Sequence, residues 1–209
     1  MFTATLRTAW SQLHKPYTQD DTFIHQTFEQ LLAAYGSPNR YYHNLSHIHQ
    51  LLTLQQQYAA QLQQTDVVLF AIFFHDVVYN VLKTDNEAKS ALAAEKHLRQ
   101  LGYPADKTAL VKDYIIATQT HLPTQQDTDL DFFLDFDLQI LGTAPDNYIA
   151  YTQQIRREYG VYPKMVYNPG RKKALQHFLD MPAIYCTHDF RTLYETPARK
   201  NIQEEITRL

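Results

Sequence analysis

The chain has 209 residues, 44% of them hydrophobic and 20% charged, enough for one well-buried domain and short for two. Its 19 basic and 22 acidic residues leave no basic footprint for nucleic acid, and only five glycines argue against an all-β sandwich with many tight turns. A single cysteine, Cys186, excludes an intramolecular disulfide and fits a reducing compartment.

Apolar residues recur at helical spacing along almost the whole chain. Leu6, Trp10 and Leu13 predict a first helix that stops near Pro16. Phe23, Phe28, Leu31, Leu32 and Tyr35 predict a second, capped by Asp20 or Asp21 and ended by Gly36-Ser37-Pro38. A third runs from about Asn44 to Gln64, Gln-rich on its exposed side. Thr65-Asp66 caps a fourth, built on Val67-Val68-Leu69-Phe70-Ala71-Ile72-Phe73-Phe74 and carrying His75-Asp76 at its C-terminal end.

Thr84-Asp85-Asn86-Glu87 has the spacing of a capping box ahead of Ala88 to Leu101, with Gly102 as the stop. Further helices are expected from Asp106 to about Thr120 and from Asp129 to Ile140. Pro145 fits the first turn of Asp146 to Tyr159, and Asn168-Pro169 the start of Arg171 to Leu179. A last helix spans Glu195 to Arg208. No strand, repeat or low-complexity linker is visible, so the expected fold is all-α, one helical bundle over 1–209. The longest apolar run is too short to span a bilayer, and no targeting segment is visible; a cytoplasmic protein is expected.

His75-Asp76 is the most informative pair. It ends a run bound for the core, where an unpaired charge costs several kcal/mol, on the order of a full desolvation penalty. A divalent cation near the helix end satisfies both groups; a core histidine bonded to a neighbouring carboxylate is the plainer alternative. Upstream, His43 and His47 stand four apart, and on a helix they share a face. Downstream, Leu134-Asp135-Phe136-Asp137-Leu138 sets carboxylates inside a second apolar stretch. Nitrogen and carboxylate oxygen without thiolate suit Mn, Mg, Fe, Co, Ni or Zn.

These residues resemble the HD superfamily of metal-dependent phosphohydrolases, and more closely a bacterial family of predicted HD phosphohydrolases. The resemblance runs in order through Tyr42-His43-Asn44-Leu45-Ser46-His47-Ile48, Phe74-His75-Asp76-Val77-Val78-Tyr79, Asp85-Asn86-Glu87 with Ser90, Ile116-Ala117-Thr118 with His121, Asp137-Leu138-Gln139-Ile140-Leu141-Gly142 and Ala198-Arg199-Lys200-Asn201. The Tyr-His-Asn-x-x-His segment is also similar to that of cyclic-nucleotide phosphodiesterases.

The resemblance implies an HD-domain helical bundle with metal ligands His47, His75, Asp76 and Asp137 and with His43 as general acid. It implies a hydrolase that attacks a nucleotide or other small phosphate ester with metal-activated water. The alternative for His43 is a residue at a helix start bonded to backbone. Many HD nucleotidases carry an acidic residue shortly after the pair, where this chain reads Val77-Val78-Tyr79-Asn80; Glu87 is the substitute for orienting water, or the capping-box carboxylate, or both. One ion is expected. A second would draw on His121, which is otherwise a phosphate contact, while His97 in Glu95-Lys96-His97-Leu98-Arg99 reads as a surface residue.

Arg171, near a helix start, is a candidate phosphate contact; Arg40 and Arg199 are equally open to structural ion pairs. Cys186 reads as a half-buried spectator thiol. A dinuclear-iron HD oxygenase and a non-catalytic nucleotide-binding sensor are the alternatives to hydrolysis. The expected partner is a small phosphate compound, with no nucleic acid and no membrane, and the sequence leaves the oligomeric state unread.

Overall fold

The computed structural model describes residues 2–123 and 125–209, which are all-helical, with no strand among them. The helices are α1 (Phe2–His14), α2 (Asp21–Tyr35), α3 (Leu45–Gln57), α4 (Thr65–Phe74), α5 (Asn86–Leu101), α6 (Ala105–Ala117), α7 (Thr128–Leu138), α8 (Pro145–Glu158), α9 (Lys164–Asp180), the single turn α10 (His188–Phe190) and α11 (Thr196–Arg208). A π-turn over Arg191–Glu195 joins the last two.

Helix α4 is the axle. It is apolar all round, and Val67, Val68, Phe70, Ala71, Ile72, Phe73 and Phe74 are all buried, as expected of a helix enclosed on every side. Helices α3, α5, α6 and α7 pack against it. Each buried Val, Ile or Phe contributes about 1.5–3 kcal/mol, which together offsets the cost of carrying an imidazole and a carboxylate inward at its end.

Several elements differ from their sequence expectation for identifiable reasons. Helix α3 stops at Gln57, and a 3₁₀ turn over Ala59–Gln61 follows rather than continuous helix to Gln64. Thr65-Asp66 does not cap α4, whose cap residue is Gln64 with no side-chain cap bond. Asp66 instead accepts from Tyr17 Oη at 2.8 Å, Tyr103 Oη at 2.9 Å and Lys107 Nζ at 2.7 Å. The capping box at Thr84–Glu87 does not form: Asp85 is the cap residue without a side-chain cap bond, and it pairs with Lys89 at 2.9 Å.

Helix α9 begins at Lys164, five residues before Pro169, so Asn168-Pro169 lies inside it. Pro163 is its cap residue, and the amide that Pro169 lacks would have met the carbonyl of Met165, whose residue is 90% exposed. His97, expected at the surface, is 7% exposed; it sits on the face of α5 that also carries the buried Ala94 and Leu101. Its Nε2 lies 2.7 Å from Nε2 of the fully buried His14, whose Nδ1 bonds the Trp10 carbonyl at 2.8 Å.

Two close approaches lock the C-terminal half. A Cβ on Gly142 would stand 2.6 Å from Tyr194 Cβ and 2.9 Å from Tyr185 Oη, so only glycine fits there. Buried Asn201 on α11 donates to the carbonyls of Leu141 and Thr143, both at 2.9 Å.

Candidate metal centre

Three helices that pack on one another deliver the central candidate ligands: α3 carries His47, α7 carries Asp137, and His75 is the cap residue that ends α4. His47 Nε2 lies 3.2 Å from His75 Nε2 and 3.1 Å from Asp137 Oδ1. The ligand atoms of His47, His75 and Asp137 all fall within 4.8 Å of one another, a group that could hold a metal ion. Asp76 stands beside this triplet, with Oδ2 3.2 Å from His75 Nε2. Two imidazole nitrogens and two carboxylates form a hard-to-borderline N/O set suited to a divalent first-row metal or Mg.

The supports differ between the two histidines. His75 Nδ1 meets the Ile72 carbonyl at 3.0 Å, fixing the ring with Nε2 aimed at the cluster, the usual arrangement behind a ligating histidine. His47 Nδ1 is buried with no partner among the described residues. Only Nε2 of that ring therefore has company, and all of it is the cluster.

Charge is concentrated here. Burial disfavours the protonated His75 ring, yet Asp76 and Asp137 outweigh it and push its pKa up to about 9. Burial dominates at His47 and lowers its pKa despite Asp137. Asp76 and Asp137 are held below the ordinary carboxylate range, since the surrounding histidines overcome the burial penalty. A proton on His75 is one way to neutralise this cluster. A cation among the same atoms is the other, and it engages several ligands at once.

His121 joins from another direction. Its Nε2 is 2.9 Å from Asp137 Oδ2, while Oδ1 of the same carboxylate faces His47. His121 follows α6 in the left-handed region with φ of 53°, a strained conformation for a residue with a side chain. The amide of His121 meets the carbonyl of Ala117 at 2.8 Å, closing the end of the helix in that conformation.

His43 reaches the site without a helix. Helix α3 starts at Leu45 with Asn44 as cap residue, accepting from Ser46 N at 2.8 Å, so His43 lies outside it. The four-residue spacing therefore does not act through a shared helix face. Instead the turn before α3 is gripped by Glu158, the buried last residue of α8. Its Oε1 accepts from the amides of Tyr41, Tyr42 and His43 at 2.8, 2.7 and 2.9 Å. Its Oε2 meets His43 Nδ1 at 2.7 Å and accepts from Tyr79 Oη at 2.8 Å.

Burial works against a protonated His43, but Asp76 and Glu158 prevail and raise its pKa. Glu158 is pulled down to about 2 against burial, chiefly by its bond to His43. Arg40 closes the turn from below, with Nη1 2.6 Å from the Asp76 carbonyl and Nη2 3.0 Å from that of Val77.

The cluster opens on a cavity of about 360 Å³ whose wall includes His43, Asp76, Lys83, Glu87, His121 and Asp137. Glu87 thus borders the same space as the ligands. Lys83, whose sequence context marks it for no role, gives this wall an ammonium group. Arg171 does not reach this cavity. Its guanidinium is clamped on Glu205, with Nε to Oε1 at 2.8 Å and Nη2 to Oε2 at 3.0 Å, because α11 packs beside α9 and supplies the acid. The phosphate role expected of Arg171 is replaced by a buried ion pair.

Arg199 is likewise structural, bonded to Glu195 and to the carbonyls of Leu179 and Met181. Asp135, two residues before Asp137, points elsewhere and accepts from Cys186 N, Thr187 N and Thr187 Oγ1 at 2.6, 2.8 and 2.7 Å. Cys186 is half-buried, and burial and Asp135 push its thiol up to about 12, which fits a spectator. No helix among the described residues is long and apolar enough to cross a membrane. No protein-family model, curated protein or solved structure matches this chain.

Proposed function

We propose that the chain is a metal-dependent phosphohydrolase acting on a nucleotide or another small phosphate ester. The observation that carries this reading is the convergence of His47, His75 and Asp137, with Asp76 alongside, at the edge of a cavity that His43 also lines. These four side chains would hold one divalent cation. When bound there, such an ion polarises a phosphoryl oxygen and acidifies water.

The chain's own groups supply the rest. Glu158 accepts from His43 Nδ1, which fixes the ring and favours its protonated form. The other nitrogen, Nε2, has no partner among the described residues and is free to give a proton to the departing oxygen. Glu87 borders the cavity without a capping bond and would orient water, and Lys83 on the same wall would donate to a phosphate oxygen.

A two-ion variant draws on one observation: Asp137 divides its oxygens between His47 and His121. His97 takes no part in either version, since it is paired with His14 in the core. The test is phosphate release from a panel of nucleotides and small phosphate esters with Mn, Mg, Co, Ni or Zn added. Turnover lost in both Asp76→Ala and His43→Gln, with folding retained, supports the reading. Equal turnover in wild type and Asp76→Ala would contradict it.

A further inference from the structure

His43 and Tyr159 border two cavities, not one. The second is a partly open cavity of about 420 Å³, lined by residues of α8, α9 and the segment between them together with His43 and Val81 and by none of the four cluster residues. Its walls are aromatic and aliphatic: Tyr151, Tyr159, Tyr162 and Tyr167 with Ile155 and Val166. The Tyr159 and Tyr162 rings stand 6.2 Å apart with their planes inclined by 29°, and the Tyr162 hydroxyl donates to the Val81 carbonyl at 3.2 Å. Arg171 brings a charge to the lining, but Glu205 neutralises it with two short bonds. The space is therefore suited to an uncharged group, whereas the cavity across His43 holds Lys83 and the cluster.

Helix α9 contributes a further sign. Gly170 lines this cavity in the helix interior, where glycine is less favourable than alanine. Nothing local requires it: its φ is not positive, and an added Cβ would meet nothing within 4 Å. Gly170 is exposed on this wall, so a larger side chain can be placed there without a clash inside the protein.

We propose that this tyrosine-lined cavity binds a planar, uncharged ring of the substrate, such as a nucleobase or an aryl group, on the leaving-group side of His43. The assignment deepens the phosphohydrolase reading and rests on it for orientation: the phosphate on the metal side, the ring on the tyrosine side, and His43 between them at the bridging oxygen. Offset stacking on tyrosine faces recognises such a ring without hydrogen-bond readout. Phosphoesters of rings are thereby preferred over those of small polyols.

The experiment measures binding of phosphate-free probes by ligand-detected NMR on the full chain, with and without a chelator. Adenosine and benzyl alcohol are the planar-ring probes, and ribose, whose sugar ring is neither planar nor aromatic, is the control. Both ring probes should bind at least about tenfold more tightly than ribose, as expected where a shaped apolar pocket discriminates, and chelation should leave this unchanged. Gly170→Leu should fill the space and weaken ring binding by a similar factor, with Ala174→Trp, on the same wall, as the second obstruction. Ribose binding as well as the ring probes, or ring binding unaffected by both folded variants, would overturn the assignment. Ring binding by a wild-type chain that neither retains metal nor hydrolyses a phosphoester would support the cavity and sink the hydrolase reading instead.

Discussion

Glu158 Oε2 lies 2.7 Å from His43 Nδ1 across 115 residues of chain, and the other oxygen of the same carboxylate collects three consecutive backbone amides. One buried acid therefore fixes both where the His43 ring sits and how tightly it holds a proton.

Glu158→Gln separates these two roles. The amide keeps an acceptor for the backbone while removing the charge that favours protonated His43. Because the folded His43 pKa is raised, its acidic form persists to higher pH than in a free histidine and is lost as pH rises through that value. The alkaline limb of kcat/KM should move to lower pH in the variant, with kcat reduced by roughly 10²-fold, the scale of general-acid catalysis. Glu158→Ala should also destabilise the fold by about 3–5 kcal/mol, as when a buried charge pair loses one partner. A pH–rate profile unchanged in Glu158→Gln would contradict the positioning role.

The His14–His97 pair predicts an acid weakness remote from the site. With Nδ1–H of His14 donated to the Trp10 carbonyl, His14 Nε2 must accept and His97 Nε2 must donate. Burial lowers the pKa of His14 to about 4, and burial with His14 alongside lowers that of His97 to about 3. Both folded values lie below the unfolded value near 6.5, so the unfolded chain binds more protons as pH falls. This contribution is full above about pH 6.5 and is lost as pH drops toward 4, at up to about 1.4 kcal/mol per pH unit for each ring. Urea unfolding between pH 7.5 and 4.5 should show a steeper loss in wild type than in His14→Leu/His97→Leu. Parallel curves would refute it.

Asp135 and Asp137 occupy one helix two positions apart and should fail differently. Asp135→Ala removes the acceptor for the amides of Cys186 and Thr187 and should cost about 1–3 kcal/mol for each donor left buried and unpaired. Metal binding should survive wherever the protein stays folded. Asp137→Ala should lose the metal outright, and with His47 and His121 deprived of their acceptor it should also lower thermal stability in the presence of chelator. Calorimetry with metal analysis on both variants distinguishes the two roles, and equal metal loss in folded Asp135→Ala would contradict this division.

Much of the architecture was legible in the chain because helical periodicity and local caps are short-range signals. Asp20 accepts from Phe23 N, Asn44 caps α3, and Pro145 sits in the first turn of α8 as its position suggests. His75-Asp76 and Asp137 were visible as polar groups within runs too apolar for the surface. The partners of side chains were not, because they depend on elements far apart in sequence. Arg171 has an anion-binding context until α11 brings Glu205 beside it.

Some of the missed residues left a signal. His97 is framed by Glu95, Lys96 and Arg99, yet it continues the spacing of Ser90, Ala94 and Leu101, which are buried. Glu158 ends a helix, where an acid is disfavoured by the macrodipole, so a tertiary role was its natural explanation. The tyrosine wall had no such signal, since fifteen tyrosines spread along the chain do not show which four will face one space.

Whether the histidine and aspartate cluster holds an ion is read from divalent-metal content per chain, measured by mass spectrometry on wild type and Asp137→Ala after identical purification and reloading. The geometry of His47, His75, Asp76 and Asp137 predicts about one tightly held ion in wild type, given a complete N/O ligand set, and its loss in the variant. Equal metal content in both proteins, or none in a folded wild type offered each metal in turn, would contradict the account.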